Sequence, residues 1–319
     1  MRTVIYTLLV MLSAGAAAAA NYPTKPVRLL VAFVSGGAVD ATARIVSQKL
    51  TEVWGQQVIV ENRPGGGGTI AVNTVANATP DGYTLLVAAN AEIAANPVLF
   101  PGSAINPIKD LAPISLISMT PFLIVTHPGA AINSLEDLIA QAKARPGQIT
   151  WASAGHGSTN HFTGSWFASE AGIKLLHVPY KGAAPAAAAV AGGEVAIGIV
   201  SPTAGLPFIS SGRIKVLALT TKYKPSFAKD WPTAAEKGVA GFDSAAWIGL
   251  FAPASTPRDL LTRLNSEINK LLKDPDVQKR FSVLGFEPVG TTSADFIQRV
   301  KNDLVLYARI AREADIRPQ

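Results

Sequence analysis

The apolar positions of this chain fall into short blocks that alternate between two periods. The run VRLLVAF at 27–33 has the length and continuity of a buried strand, and after a break at Gly36-Gly37 the residues Ile45, Val46, Leu50 and Val53 recur on one helical stripe. That pattern predicts strand, loop, helix. Further strand-like runs lie at 57–61, 83–89, 121–126, 149–152, 175–179, 195–200, 214–219 and 247–251, with helix-like segments at 69–78, 135–144, 162–171 and 183–191 between them. Ser134 stands as an N-cap with Asp137 three residues on, and Arg145-Pro146-Gly147 stops the helix that follows. Thr256 as N-cap and Pro257 at the first helical position open another helix, whose Leu260, Leu261, Leu264, Ile268, Leu271 and Leu272 share a face; a last helix is predicted over 294–314. Residues 108–116 read as irregular. Strands rich in β-branched residues and separated by helices predict an α/β chain with parallel sheets covered on both faces.

The break at Gly36-Gly37 bears on chemistry. A glycine pair between a strand end and a helix start leaves backbone N–H groups uncovered, and the helix dipole favours an anion there. Carboxylate and phosphate both fit, and an ordinary βα turn fits equally well. A second unit of the same design follows the strand at 149–152: the loop SAGHGSTNH at 153–161 opens a helix, and Ser153, Ser158, Thr159 and Asn160 add side-chain donors. The third strand ends in Ala88-Ala89-Asn90, where an α/β sheet presents its ligand-facing loops. Asp40 is expected to cap the helix after the glycine loop rather than to face a ligand. His156 is expected to donate to an anion and His161 to pack inside its helix. With no cysteine or paired carboxylate beside them, no metal is expected. Lys181 reads as solvated. Trp151, Trp166 and Trp247 read as core, with Trp247 also placed where a hinge strand could present it to a ligand.

Composition narrows the setting. The chain has 319 residues, 48% hydrophobic and 16% charged, enough for two domains. Its net charge of +6 is spread rather than blocked, so nucleic acid is not an expected partner. The start MRT, the apolar stretch 4–12 and the Ala18-x-Ala20 ending predict a signal peptide over 1–20, hence export to the periplasm. The absence of cysteine excludes thiol nucleophiles and places stability on core burial. No G-x-S-x-G, H-E-x-x-H, P-loop or G-x-G-x-x-G occurs, which argues against the alternative of an exported hydrolase and calls for no cofactor. A ligand-sensing protein, the other alternative, needs a signalling partner that this chain does not contain.

Taken in order, Gly36-Gly37, ENRPG at 61–65, DGY at 81–83, RPG at 145–147, SAG at 153–155, VPYKG at 178–182, Pro232-Thr233 and Ala252-Pro253 carry a chain-wide likeness. The sequence resembles the Bug (TctC-type) substrate-binding proteins of tripartite tricarboxylate transporters. That resemblance implies a two-domain periplasmic binding protein of the Venus-flytrap kind, each domain a largely parallel sheet flanked by helices. Domain 1 would hold 21–121 and 248–319 and domain 2 would hold 122–247, with two crossing hinge strands at 122–126 and 247–251. It implies capture of a small di- or tricarboxylate by a monomer that delivers it to membrane permease subunits. By the same likeness the ligand would be held by Phe33, Val34, Ser35, Gly36, Gly37, Ala38 and Asp40 from one domain and by Ser153, Ala154, Gly155, His156, Gly157, Ser158 and Thr159 from the other. Ala88, Ala89, Asn90, Tyr180, Lys181, Val200 and Ser201 would line the same cleft. The chain departs from the family at Val34-Ser35, where relatives have Pro-Pro, at Ile199-Val200-Ser201, where they have Phe-Asp-Asn, and at His156, where they often have Asn. Val200 in place of an acid implies a less polar wall, and with it a ligand without amino groups and with an apolar or aromatic body, such as a benzene dicarboxylate.

Overall fold

The computed structural model describes residues 22–33, 35–102 and 105–317; the signal peptide expected over 1–20 and the site candidate Val34 lie outside them. The chain begins with β1 (Val27–Val31), α1 (Ala38–Trp54), β2 (Val58–Asn62), α2 (Thr69–Ala76) and β3 (Thr84–Ala89), then a π-helical turn (Ala91–Ala95) and β4 (Leu111–Pro121). It continues through β5 (Leu123–Thr126), α3 (Leu135–Ala144), β6 (Thr150–Ser153), α4 (Thr159–Glu170), β7 (Leu176–Pro179), α5 (Ala183–Ala191), β8 (Ile197–Val200), α6 (Pro202–Ser210) and β9 (Lys215–Leu219). It returns by β10 (Ala245–Pro253), α7 (Arg258–Leu271), α8 (Pro275–Val283), β11 (Glu287–Pro288) and α9 (Ser293–Glu313).

These strands make two sheets flanked by helices, one in the order β11-β4-β10-β3-β1-β2 and one in the order β7-β6-β8-β5-β9. The βαβ alternation gives the parallel sets β2-β1-β3 and β7-β6-β8, as expected. The remaining pairings are antiparallel, so each sheet is mixed rather than largely parallel. Part of the difference is β4, read from sequence as irregular over 108–116. Its serines interrupt the apolar run, yet the strand is largely buried, and at 115–116 the polar groups find partners: Ser115 Oγ donates to Asn269 Oδ1 at 2.7 Å, and Leu116 N–H donates to Thr291 Oγ1 at 3.1 Å. Ser134 caps α3 as expected, accepting from Asp137 N–H at 3.2 Å, while the Asp137 carboxylate reaches back to Asn133 N–H. Thr256 does not cap α7, which starts after Pro257.

Register decides how the two sheets meet. At the end of β4, Pro121 pairs with Ala245, and β10 runs antiparallel beside β3 with Ile248 opposite Ala89. One residue later β5 begins, with Leu123 opposite both Val200 and Leu219, the last residues of β8 and β9. The chain therefore leaves the first sheet at the carboxyl end of β3 and enters the second at the carboxyl end of β8. Both sets of parallel strands point their carboxyl ends at the junction. The crossings themselves are Phe122 and Ser244, and β5 and β10 each belong wholly to one sheet. Thr220, fully buried, joins the crossings: its hydroxyl accepts from Phe122 N–H at 2.8 Å and donates to Ser244 O at 2.6 Å, while its own N–H and C=O bond Phe122 O and Ser244 N–H.

The apolar stripes of the helices pack on these sheets. Helix α9 serves both sides: Phe296 and Val300 pack with Trp247 and Phe251, whereas Tyr307, Ile310 and Ala311 join Phe162, Trp166 and Phe167 of α4. Trp247 is fully buried and donates to Asp303 at 2.5 Å, which makes it core. Close approach at β10 requires glycine, since a Cβ on Gly249 would stand 2.1 Å from the ring of Phe296. That ring is itself held between Trp247 and Phe251, at 5.3 and 5.0 Å. Gly249→Ala should overpack this site and lower stability by about 1–3 kcal/mol in urea unfolding. A variant as stable as the parent would mean that the aromatic cluster has room the packing denies.

Candidate functional site

The first loop runs from the end of β1 to the start of α1. Gly36 has φ +92°, a conformation open to glycine, and Gly37 is an N-cap that offers no side chain to the first-turn N–H groups. Asp40, 2% exposed, fixes this loop from inside the helix. Its carboxylate accepts from Gly36 N–H at 2.9 Å, Ser35 Oγ at 3.2 Å, Arg44 Nε at 2.9 Å and Asn62 Nδ2 at 3.0 Å. Burial works against its charge, but the hydrogen bonds from Arg44, Gly36 and Asn62 outweigh it and hold the pKa at about 2. Two donors expected for a ligand, at Ser35 and Gly36, are thus taken by the protein's own carboxylate. Gly37 and Ala38, at the exposed start of α1, face outward, and Phe33 is exposed at the rim.

The second loop runs from β6 to α4. Gly155 has φ +130°, and a Cβ there would stand 3.0 Å from Tyr180 O, so only glycine lets this loop lie against the end of β7. Tyr180 N–H donates to Ser153 O and Gly182 N–H to Ala154 O, both at 3.1 Å, which joins Tyr180 and Lys181 to the loop. The side-chain donors expected here turn inward. Ser153 is fully buried against His177, 2.7 Å from Nε2; Ser158 caps α4 and donates to Gly155 O at 2.7 Å. Thr159 hydrogen-bonds Tyr307, and Asn160 donates to Ile199 O at 2.8 Å. They build the loop, and the backbone of Gly155 joins them, its N–H donating to Ser153 Oγ at 3.1 Å.

Three histidines stack beneath it. The ring of His161 lies parallel to that of His177, 4.0 Å between centroids and 7° between planes; His156 leans on His161 at 4.9 Å, and Trp151 closes the column against His177 at 4.4 Å. His161 packs inside its helix as expected, and its Nδ1 accepts from Gly157 N–H at 3.1 Å, which fixes the neutral tautomer. Burial, then the neighbouring imidazoles, push His161 down to about 3 and His177 down to about 4. The rings stack rather than converge their nitrogens, and among the described residues no group of three or more His, Cys, Asp or Glu is placed to hold a metal ion. His156 is the exposed end of the column. His177 went unread in the sequence, although it sits on β7 directly opposite Trp151 in the β6–β7 register.

The remaining candidates divide. Ala88 is buried, Ala89 is half-buried, and Asn90 is 2% exposed, donating to Ala245 O at 3.1 Å and Tyr307 Oη at 2.9 Å. Asn90 thereby lines a cavity of about 210 Å³ behind the junction, with Thr163, Ser244 and Arg299. Ser201 shares a hydrogen bond with Thr203 at 3.1 Å, and Lys181 is exposed. Val200 is fully buried with Leu123, Val190 and Leu219 and forms no wall, so the less polar wall inferred from it is not there.

The model of the tripartite tricarboxylate transporter family receptor, TctC, matches residues 42–316. The chain belongs to that family. It is 34% identical to protein BugT of Bordetella pertussis over 305 residues, 94% of each chain. Among solved structures it resembles R. palustris Rpa4515 with adipate (32% identity, TM-score 0.80, 93% of this chain and 100% of that one). It also resembles MatC of Rhodopseudomonas palustris with bound malate (28% identity, TM-score 0.74, 91% and 99%). The protein is thus a periplasmic solute-binding receptor with the periplasmic binding protein fold, and its family is one of binding proteins rather than enzymes.

Two titration windows follow. Asp40 has a folded pKa near 2 against an ordinary 3.8, so its contribution is present above pH 3.8 and lost as pH falls through about 2. Asp40→Asn should cost about 2 kcal/mol at pH 7 and remove that window from an acid titration of stability. His161 and His177, depressed from 6.5, contribute fully above pH 6.5 and lose that contribution as pH falls toward 4 and 3. His177→Asn should flatten the upper window. Urea unfolding from pH 7 to pH 2 reads both, and an unchanged profile in either variant refutes that assignment.

Proposed function

We propose that this receptor binds a small organic di- or tricarboxylate, between a domain of residues 21–121 and 248–319 and a domain of residues 122–247, and passes it to the membrane permease subunits of a tripartite transporter. Export by cleavage after residue 20 and action as a monomer belong to the same reading. The observation that carries it is the exposed first turn of α1, where Gly37 and Ala38 present backbone with no side-chain cap, at the junction on which the loop 153–159 also opens. An acid with two carboxylates can engage one loop with each end, and water can bridge what the small residues do not reach. Adipate and malate, bound by the two similar structures, are both dicarboxylates.

Ligand choice within this class follows from what is exposed. With Val200 buried, the exposed departure on the second loop is His156, whose ring is the outer member of an aromatic column. A planar or aromatic dicarboxylate without an amino group fits that surface best. Asp40 is occupied by Arg44, Asn62 and Gly36, so the first loop offers no free acid to an ammonium group.

A thermal-shift panel of C4, C6, citrate-like and aromatic acids tests the reading. The right acid at about a hundredfold excess over its Kd adds about 2.7 kcal/mol, a rise of several degrees in Tm, and is recovered unchanged. No shift with any acid, or turnover of an ester or amide, refutes it. Gly37→Val, at a position whose φ of −82° any residue adopts, should weaken binding at least about tenfold with little change in Tm. Unchanged affinity removes the first loop from the site.

A further inference from the structure

Glu92 follows β3 within the π-helical turn and is 3% exposed. One carboxyl oxygen, Oε2, accepts from Ala89 N–H at 2.7 Å. The other, Oε1, has no hydrogen-bond partner, and neither does Asn73 Oδ1 on α2. Both residues line the same cavity of about 10 Å³, together with Thr69, Val72 and Asn96. That space admits at most about one water. The glycine loop packs on the stem of the same side chain, where a Cβ on Gly68 would stand 2.5 Å from Glu92 Cγ. A buried carboxylate oxygen without a hydrogen-bond partner is costly, and a proton on the carboxyl relieves that cost by turning the oxygen into a donor toward the Asn73 acceptor.

We propose that Glu92 is a neutral carboxylic acid in the folded protein and acts as the positioning residue of the β3 loop, accepting from Ala89 N–H with one oxygen and donating from the other into the cavity it shares with Asn73. That Ala88 to Asn90 belong to the ligand site rests on the function proposed above. Besides burial, the groups acting on the carboxyl are the backbone N–H groups of Ala89 and of Glu92 itself, and the titratable group that feels it is the buried Tyr307; no Lys or Arg among the described residues offsets its charge. Burial pushes the pKa up to about 8 from an ordinary 4.5. A neutral acid at the carboxyl end of β3 presents no charge to an incoming anion, whereas an ionised one would repel it and draw water into the loop.

Because the folded protein holds this proton more tightly than the unfolded chain, the stability it contributes is complete below pH 4.5 and lost as pH rises through about 8. Glu92→Gln keeps the shape, the acceptor and the donor but cannot ionise. In urea unfolding, the folding constant of wild type relative to Glu92→Gln should fall about tenfold per pH unit between about pH 5 and pH 8. Parallel curves overturn the assignment. Should Glu92→Gln fail to fold, the infrared carbonyl band of a neutral carboxylic acid in the wild-type protein reports directly: it is expected at about pH 6 and lost above about pH 9, and its absence at pH 6 overturns the proposal. Exchange of the Ala89 amide, compared with Glu92→Gln, should accelerate above about pH 8; an unchanged ratio removes the positioning role. None of these readouts involves a ligand, so their failure leaves the carboxylate reading standing, and the reverse holds as well.

Discussion

Everything at the ligand junction depends on how two short connections are held side by side. Phe122 carries the chain out of the first sheet and Ser244 brings it back, and one buried threonine bonds both. Thr220 spends its hydroxyl as acceptor for one crossing and donor for the other, so neither crossing can shift along its axis without breaking hydrogen bonds in a site that water does not enter. The register imposed on either side, Leu123 against Val200 and Ala245 against Pro121, aims the carboxyl ends of both parallel strand sets at each other. The junction follows from pairing geometry before any ligand chemistry enters.

A site built from small residues has a cost that this structure makes visible. Glycine and serine loops gain little from side-chain burial, and their backbone must be ordered by something else. In the first loop that agent is Asp40 and in the second it is the histidine column with the Ser158 cap. Asp40 leaves the start of α1 without a side-chain cap, whereas Ser158 caps α4. The polar side chains that make the loops look like ligand donors are therefore mostly scaffold, bonded to the loops' own backbone.

Much of the fold was legible because apolar runs of strand length and 3.6-period stripes are direct records of burial. β4 was not, since serines bonded to Asn269 and Thr291 look from sequence like loop residues, and those partners lie more than a hundred and fifty positions away. The two loops were legible from glycine placement and from the family likeness. The column was not: His177 and His161 meet only through the β6–β7 pairing and the turn into α4. Val200 shows the opposite failure. A substitution that looked like a change of cleft wall lies under α5, because a residue at a strand end alternates between faces and sequence position does not say which.

Two of the buried carboxylates show how the same depth of burial can end in opposite charge states. Asp40 and Glu92 are almost equally inaccessible, at 2% and 3% exposure, yet they go opposite ways. Asp40 has a guanidinium, an amide and a backbone N–H around it, so its charge is retained and locally neutralised. Glu92 has only backbone N–H groups near it and one oxygen without a partner, so burial prevails and the proton stays. In neither case does a bare negative charge face the junction. The contrast turns on donors rather than on depth: several hydrogen bonds to one carboxylate offset the cost of burying its charge, and where they are missing the proton does so instead.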